Sequence, residues 1–363
     1  MYKKTWFKIH LILGLTAGLI LFIIGLSGAI LSFEKEILNV VNKKSYIVKV
    51  ADTPKLTVIE LMSSFKQKFP DSKINAVTFS KADTSSVTIN IAVKGKGKAA
   101  RKGKNYYLNP YTSEILPDIK GKGFFKFVEN IHRRLALGDV GQQIVGASTL
   151  MLFVLMFSGV YIYFKKLKKS LKKSLTFSFK SKGRSFLASM HSAIGMWVIP
   201  IYLVSSITGL YWSYSWFNQG LYTIAGVEKP VRMKRGMNKN QETASPKEIQ
   251  NVIDIFDENI KNYNNANLRF TAQKGIYIIS YLDDKSIHNR AKNIIKIDKK
   301  TNKIVEKSHF SDQPLVEKLL KSNYSLHTGD YFGIIGKIVM FLGSLAMMMF
   351  FVTGVMMYLK RKG

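Results

Sequence analysis

The sequence predicts a mainly α-helical membrane protein: a four-transmembrane-helix bundle built from a two-fold internal repeat, with two extracytoplasmic α+β domains. Three observations carry that expectation. Four long runs contain no Asp, Glu, Lys or Arg, and the basic clusters beside them fall on one side of a four-span topology. Histidines, glycines and hydroxyl residues also recur at equal offsets in the two halves.

The charge-free runs cover 25 residues at 9–33, 25 at 140–164, 43 at 185–227 and 22 at 338–359. A helix needs about 20 apolar residues to cross roughly 30 Å of hydrocarbon, where every backbone polar group must be satisfied within the segment. The expected organisation is therefore transmembrane helices over 9–33, 140–164, 186–217 and 334–359. A basic loop covers 165–185, and outer domains cover 34–131 and 218–330. Lys3, Lys4 and Lys8 precede the first run in the manner of a signal peptide. That run exceeds the usual apolar length of about 7–15 residues and no A-x-A site follows, so it is read as retained.

Charge agrees with this layout. The 363-residue chain holds 55 Lys+Arg against 23 Asp+Glu, a net charge of +32. In a soluble protein that excess would suit nucleic acid. Here Lys3, Lys4 and Lys8, the Lys165-Lys166-Leu167-Lys168-Lys169 cluster with Lys172, Lys173, Lys180, Lys182 and Arg184, and Lys360-Arg361-Lys362 share one side of the topology. The positive-inside rule makes that side cytoplasmic, with both termini inside, and the expected surface partner is the lipid bilayer and no nucleic acid. Segment 34–131 has 18 Lys+Arg against 9 Asp+Glu, which would attract anionic chelates or anionic lipid as readily as water. The absence of cysteine excludes a disulfide scaffold, a thiolate zinc site, an iron–sulfur cluster and a cysteine nucleophile.

Each outer segment reads as a helix followed by strands. The first has an amphipathic helix over 56–69, extended segments at 74–80, 86–93 and 105–109, and a turn at 110–113 before 114–116. The second has a helix over 248–263 and strands at 268–271, 275–282 and 293–297, with a turn at 299–302 before 303–305. Alternation in Val87-Thr88-Ile89-Asn90-Ile91 supports a half-buried antiparallel sheet. Residues 94–104 read as a mobile basic hairpin loop.

The repeat is anchored on histidines. His10 is followed by Gly14 at +4 and Ser27-Gly28 at +17 and +18, and His191 by Gly195 at +4 and Thr208-Gly209 at +17 and +18. His132 is followed by Gly138 at +6, Gly141 at +9 and Ser158-Gly159-Val160 at +26 to +28. His327 has Gly333, Gly336 and Thr353-Gly354-Val355 at the same offsets. His10 and His191 thus fall at the cytoplasmic ends of spans one and three, and His132 and His327 beside the outer ends of spans two and four. A single such histidine would serve as an interfacial residue bonded to a neighbouring carbonyl. Four at equivalent places, two per face, point to a functional site.

Two imidazoles from two helices suit a flat macrocycle with axial ligands on both faces, as in bis-histidine haem. A closed zinc site wants four ligands, often thiolates, and non-haem iron wants a carboxylate, which the apolar spans lack. Gly14 and Gly195, one turn beyond His10 and His191, would leave room for a large ring. Alternatively, Gly14-x-x-x-Gly18 is a small-residue helix-packing motif. Arg133 and Arg134, with Lys8 and Arg184, would pair with propionates or anchor the interface. His288 and His309 have no repeat partner and read as surface residues. Trp6, Trp197, Trp212, Trp216, Tyr211 and Tyr214 read as aromatic belts, with Trp212 and Trp216 also placed to line an outer pocket. Met347, Met348, Met349, Met356 and Met357 read as filler rather than ligands.

The ordered set of motifs resembles the PepSY-associated transmembrane proteins, a family that includes inner-membrane ferric-siderophore reductases. The set comprises the opening His10-x3-Gly14 and the stretch Asn105-Tyr-Tyr-Leu-Asn-Pro-Tyr-Thr-Ser-Glu-Ile. It continues with Ile131-His132-Arg-Arg-Leu-Ala-Leu-Gly-Asp-Val-Gly and Leu326-His327-Thr-Gly-Asp-Tyr-Phe-Gly-Ile-Ile-Gly. The resemblance implies a bacterial inner-membrane cytochrome with periplasmic PepSY-like domains, two b-type haems and no zinc or iron–sulfur cluster. His10 and His191 would ligate the inner haem, and His132 with His327 the outer one. Implied partners are a cytoplasmic or quinol electron donor and a ferric siderophore or other ferric chelate. The Lys-rich outer domains depart from the family pattern, and no residue in them matches a ferric-chelate site. Two alternatives stay open: a dihaem protein feeding another periplasmic acceptor, and a non-redox accessory whose PepSY-like domains bind a peptide or peptidase. No H-E-x-x-H or Gly-x-Ser-x-Gly motif is present, so no catalytic peptidase is expected.

Overall fold

A computed structural model describes residues 2–93, 95, 102–229, 245–273 and 275–362. Most of the basic hairpin loop expected over 94–104 lies outside the described residues. The helices in chain order are α1 (Tyr2–Leu31), α2 (Glu34–Val41), α3 (Lys43–Tyr46), α4 (Val58–Lys68), α5 (Lys122–Arg134), α6 (Gly138–Lys169), α7 (Leu171–Ser174), α8 (Gly183–Ser213), α9 (Ser215–Ile224), α10 (Pro246–Asn259), α11 (Leu315–Lys321), α12 (Asn323–Thr328) and α13 (Gly333–Lys362). The strands are β1 (Ile74–Ser80), β2 (Val87–Ile91), β3 (Lys104–Leu108), β4 (Asn265–Gln273), β5 (Ile276–Leu282), β6 (Asn293–Asp298) and β7 (Ile304–Ser308). They divide into two compact units, one of Met1–Lys35, Gly121–Lys229 and Ser322–Gly363, the other of Glu36–Lys120 and Pro230–Lys321.

The first unit is helical. Helices α1, α6, α8 and α13 are each long and apolar enough to cross a membrane. α1 packs against α6 and α13, and α8 packs against the same two, so α1 and α8 stand diagonally in a four-helix square. Leu21, Leu152, Val198, Tyr202 and Ala346 are buried where the four helices meet. Flanking lysines continue the helices beyond the charge-free runs, as in α6, which reaches Lys169. The third span ends earlier than the expected 217. Tyr214 adopts an extended backbone (φ −126°, ψ 126°), and the chain restarts as the separate helix α9.

The second unit is a seven-stranded antiparallel sheet in the order β3-β2-β1-β4-β5-β6-β7. Inward residues of the pleat, among them Val77, Ile89, Leu268, Ile279 and Ile295, form a core with Leu61 and Phe65 of α4 and Val252 and Phe256 of α10. Both helices begin with a capping box, Thr57 with Glu60 and Ser245 with Glu248, which satisfies otherwise orphaned N–H groups. The sequence suggests two separate α+β domains for segments 34–131 and 218–330, but their strands share one sheet through the β1–β4 pairing, from Ala76↔Arg269 to Ser80↔Asn265. The reason lies in the backbone: three- and four-strand meanders each leave an exposed edge of N–H and C=O groups, and joining the two edges satisfies both.

Candidate functional site: two histidine pairs

The bundle brings the four repeat-related histidines together two by two. The rings of His10 on α1 and His191 on α8 are centred 6.4 Å apart with planes at 71°. Those of His132 on α5 and His327 on α12 are 6.1 Å apart at 67°. A metal–imidazole bond is about 2.0–2.1 Å, and a ring nitrogen lies about 1.1 Å from the ring centre. One ion on the line between two facing imidazoles therefore puts their centres roughly 6.3 Å apart, a spacing close to that of both pairs. Among the described residues, no group of three or more His, Asp or Glu side chains is placed to hold one ion.

The first pair opens on a cavity of about 630 Å³ inside the bundle, whose lining includes Gly14, Gly195, Tyr202, Arg184 and Phe350. Pockets for small molecules and cofactors span about 300–1,000 Å³. A Cβ added at Gly14 would meet nothing within 4 Å, so that missing side chain leaves space in the cavity rather than a helix contact. Gly18, by contrast, is packed on, with the Phe351 ring 3.1 Å from its absent Cβ. Phe350 lies edge-on to His191 at 5.0 Å and to the buried Tyr202 at 6.1 Å.

The second pair is set by turns. His132 and His327 stand not on the spans but on the short helices α5 and α12 that precede α6 and α13. Gly138 and Gly333 open the spans at φ +62°, a backbone region that L side chains rarely adopt. Three residues further on, a Cβ at Gly141 would collide with the Arg134 carbonyl oxygen, and one at Gly336 with that of Gly329. The repeated glycines at +6 and +9 thus let each short helix fold tightly against the start of its span.

Each Nδ1 is held by a hydroxyl on a different helix. His10 meets Ser158 Oγ at 2.8 Å, His191 meets Thr353 Oγ1 at 2.8 Å, and His327 meets Thr208 Oγ1 at 2.8 Å. His132 meets Ser27 Oγ at 3.1 Å and the Ile24 carbonyl at 3.0 Å. These four hydroxyls are the Ser/Thr members of the repeated Ser/Thr-Gly dipeptides. Their spacing is visible in the sequence, but their role is not. Ser27 follows His10 by 17 residues on α1 (27 − 10), which separates the two pairs by about 25 Å along the helix.

The remaining expected residues scatter. Arg133 pairs with Glu129 at 2.8 Å and Arg134 with Asp139 at 3.1 Å, all on partly or largely exposed side chains. Trp212 lies edge-on to His327 at 5.2 Å, whereas Trp216 is exposed and stacked on Tyr214. The two tryptophans separate because α8 stops between them. Lys337, near the start of α13, is buried and pairs with the half-buried Asp330 at 3.1 Å, a contact that the apolar run beginning at 338 does not signal.

Fold and site define a membrane protein with four candidate spans, an antiparallel sheet unit and two half-buried imidazole pairs. The model of the PepSY-associated TM region matches residues 7–361, nearly the whole chain, and the protein belongs to that family. No curated protein matches the sequence.

Proposed function

We propose that the protein is an electron-transfer protein of the bacterial inner membrane. It carries two b-type haems, one between His10 and His191 and one between His132 and His327, and reduces a ferric chelate, a ferric siderophore, on the periplasmic side. The observation that supports this reading best is the pair of imidazole spacings, 6.4 and 6.1 Å, at two levels of one apolar bundle.

Iron porphyrin, when bound, supplies a one-electron couple whose potential follows axial ligands, burial and hydrogen bonding. The chain's own residues supply the rest. The four histidines would hold the two haem irons, Gly14 and Gly195 would leave room beside the first pair, and the apolar faces of α1, α6, α8 and α13 would exclude water. The basic clusters at both chain ends and in 165–185 support a reading with cytoplasmic termini, where a cytoplasmic or quinol donor would reach the His10–His191 level. The excess of cations in 34–131 draws anionic chelates toward the acceptor side. The substrate iron gains one electron, Fe(III) to Fe(II), and the chelator's weaker hold on Fe(II) releases it.

The test is anaerobic. Purified protein should give a b-type haemochrome with two haems per chain, and the reduced form should reoxidise when ferric siderophore is added. A haem-loaded protein that no ferric chelate reoxidises serves another acceptor. A preparation without a Soret band is the non-redox accessory.

A further inference from the structure

The hydroxyl contacts carry more than position. A hydroxyl has one hydrogen to donate and lone pairs to accept with. Thr353 Oγ1 donates to the carbonyl of Met349 at 2.7 Å, Thr208 Oγ1 to that of Val204 at 2.6 Å, Ser27 Oγ to that of Ile23 at 2.7 Å and Ser158 Oγ to that of Leu155 at 3.1 Å. A hydroxyl whose hydrogen goes to its own helix is left to accept from the imidazole. His132 shows the same polarity independently: its Nδ1 is 3.0 Å from the Ile24 carbonyl oxygen, which has no hydrogen to give.

We propose that Ser27, Ser158, Thr208 and Thr353 are positioning residues that fix all four imidazoles as the Nδ1–H tautomer and so leave each Nε2 lone pair as the ligand atom. The glycine after each hydroxyl completes the seat. A Cβ at Gly28 would come 3.2 Å from His132 Cε1, one at Gly159 3.5 Å from His10 Cε1, and one at Gly209 3.6 Å from His327 Cε1. The dipeptide therefore takes the Nδ1–H with its first residue and, at these three places, admits the ring edge with its second. In every case the seat lies on a helix other than the one carrying the histidine.

This arrangement is what metal-ligating histidines require: the second ring nitrogen donates to a fixed acceptor, which sets the tautomer, aims the ring and raises ligand basicity. A more basic imidazole favours the ferric state, so loss of an acceptor should raise the midpoint potential of that centre. Its meaning for the cofactor rests on the haem reading above. The tautomer itself does not.

The test has two arms on the full chain in lipid nanodiscs. In ¹⁵N-histidine spectra taken without haem, the four rings should be Nδ1–H, against the Nε2–H form that predominates in water. Thr353→Val should release His191 from that form, and Thr353→Ser should retain it. In the loaded protein, Thr353→Val and Ser158→Ala should raise the potential of one centre, with Thr353→Ser and Ser158→Thr near wild type. Ser27→Ala should move its centre least, because Ile24 already accepts. Nε2–H rings in the wild type, or potentials indifferent to Thr353→Val, would overturn the proposal. Nδ1–H rings in a protein that takes up no haem would instead overturn the haem reading alone.

Discussion

The two histidine pairs are spaced almost alike, yet the chain builds them by different means. His10 and His191 stand on long helices, α1 and α8, and their separation follows from how those helices cross the square. Side chains one turn away are absent, and a cavity results. His132 and His327 stand on helices of 13 and 6 residues, whose direction is fixed by left-handed glycines and by backbone approaches too close for a Cβ. The first pair is a product of bundle packing and the second of turn geometry. Equal ring spacing can therefore be reached by two routes, and each route has its own weak point.

On the haem reading proposed above, removing a histidine acts hardest on the comparison. His191→Ala and His327→Ala should each cost about half of the haem absorbance, since the pairs share no residue and lie about 25 Å apart along α1. The remaining half should keep the spectrum of the untouched pair. Loss of all haem from either variant would show that the pairs do not load independently.

Substitutions at glycine separate the routes. Gly14→Leu adds bulk where nothing lies within 4 Å and should empty the first site while the helix persists, because Leu forms helix better than Gly. Gly141→Ala should do the reverse. Its Cβ falls on the Arg134 carbonyl, so the α5–α6 turn must open at a cost of about 1–3 kcal/mol, and the second site should lose haem first. Helix propensity alone would make the same change favourable by roughly 1 kcal/mol, so the sign of the effect decides. Haem content and thermal midpoint read both variants.

This contrast also explains what the amino-acid sequence reveals. The spans, their order and the four histidines are legible because a bilayer imposes length and apolarity on a contiguous segment. Offsets anchored on His10, His132, His191 and His327 survive as a repeat for the same reason. The outer strands near 74–80, 275–282 and 293–297 are legible from alternation, since pleating is local. Fusion of β1 with β4 is not, because edge pairing depends on where two distant segments meet. The hydroxyl seats are half-legible: Ser158 is at +26 from His132, yet it serves His10, 148 residues away, and no periodicity reports such a cross-helix partner. Trp212 and Trp216 mislead in the opposite way, sharing a spacing but not a helix.

The smallest effects should arise in the sheet unit, where neither route operates. Glu60 and Glu248 each accept the backbone N–H of their N-cap residue, Thr57 and Ser245, and that hydrogen bond holds both carboxyls below the usual value. A depressed folded pKa adds stability above the unfolded value, about 4.3, and that share disappears as pH falls through the folded one. The sheet unit should therefore soften below about pH 4, and Glu248→Gln should flatten the dependence. Ser245→Ala removes one cap donor–acceptor pair and should cost about 1 kcal/mol at neutral pH. Because Leu61, Phe65, Val252 and Phe256 pack into the core of the sheet unit, and the histidine pairs belong to the helical unit, the haem spectrum of Ser245→Ala should match wild type while urea or heat unfolds the sheet unit earlier. Equal loss of haem in Ser245→Ala and Gly141→Ala would mean that the bundle's turns take their order from the sheet unit and not from Gly138 and Gly141.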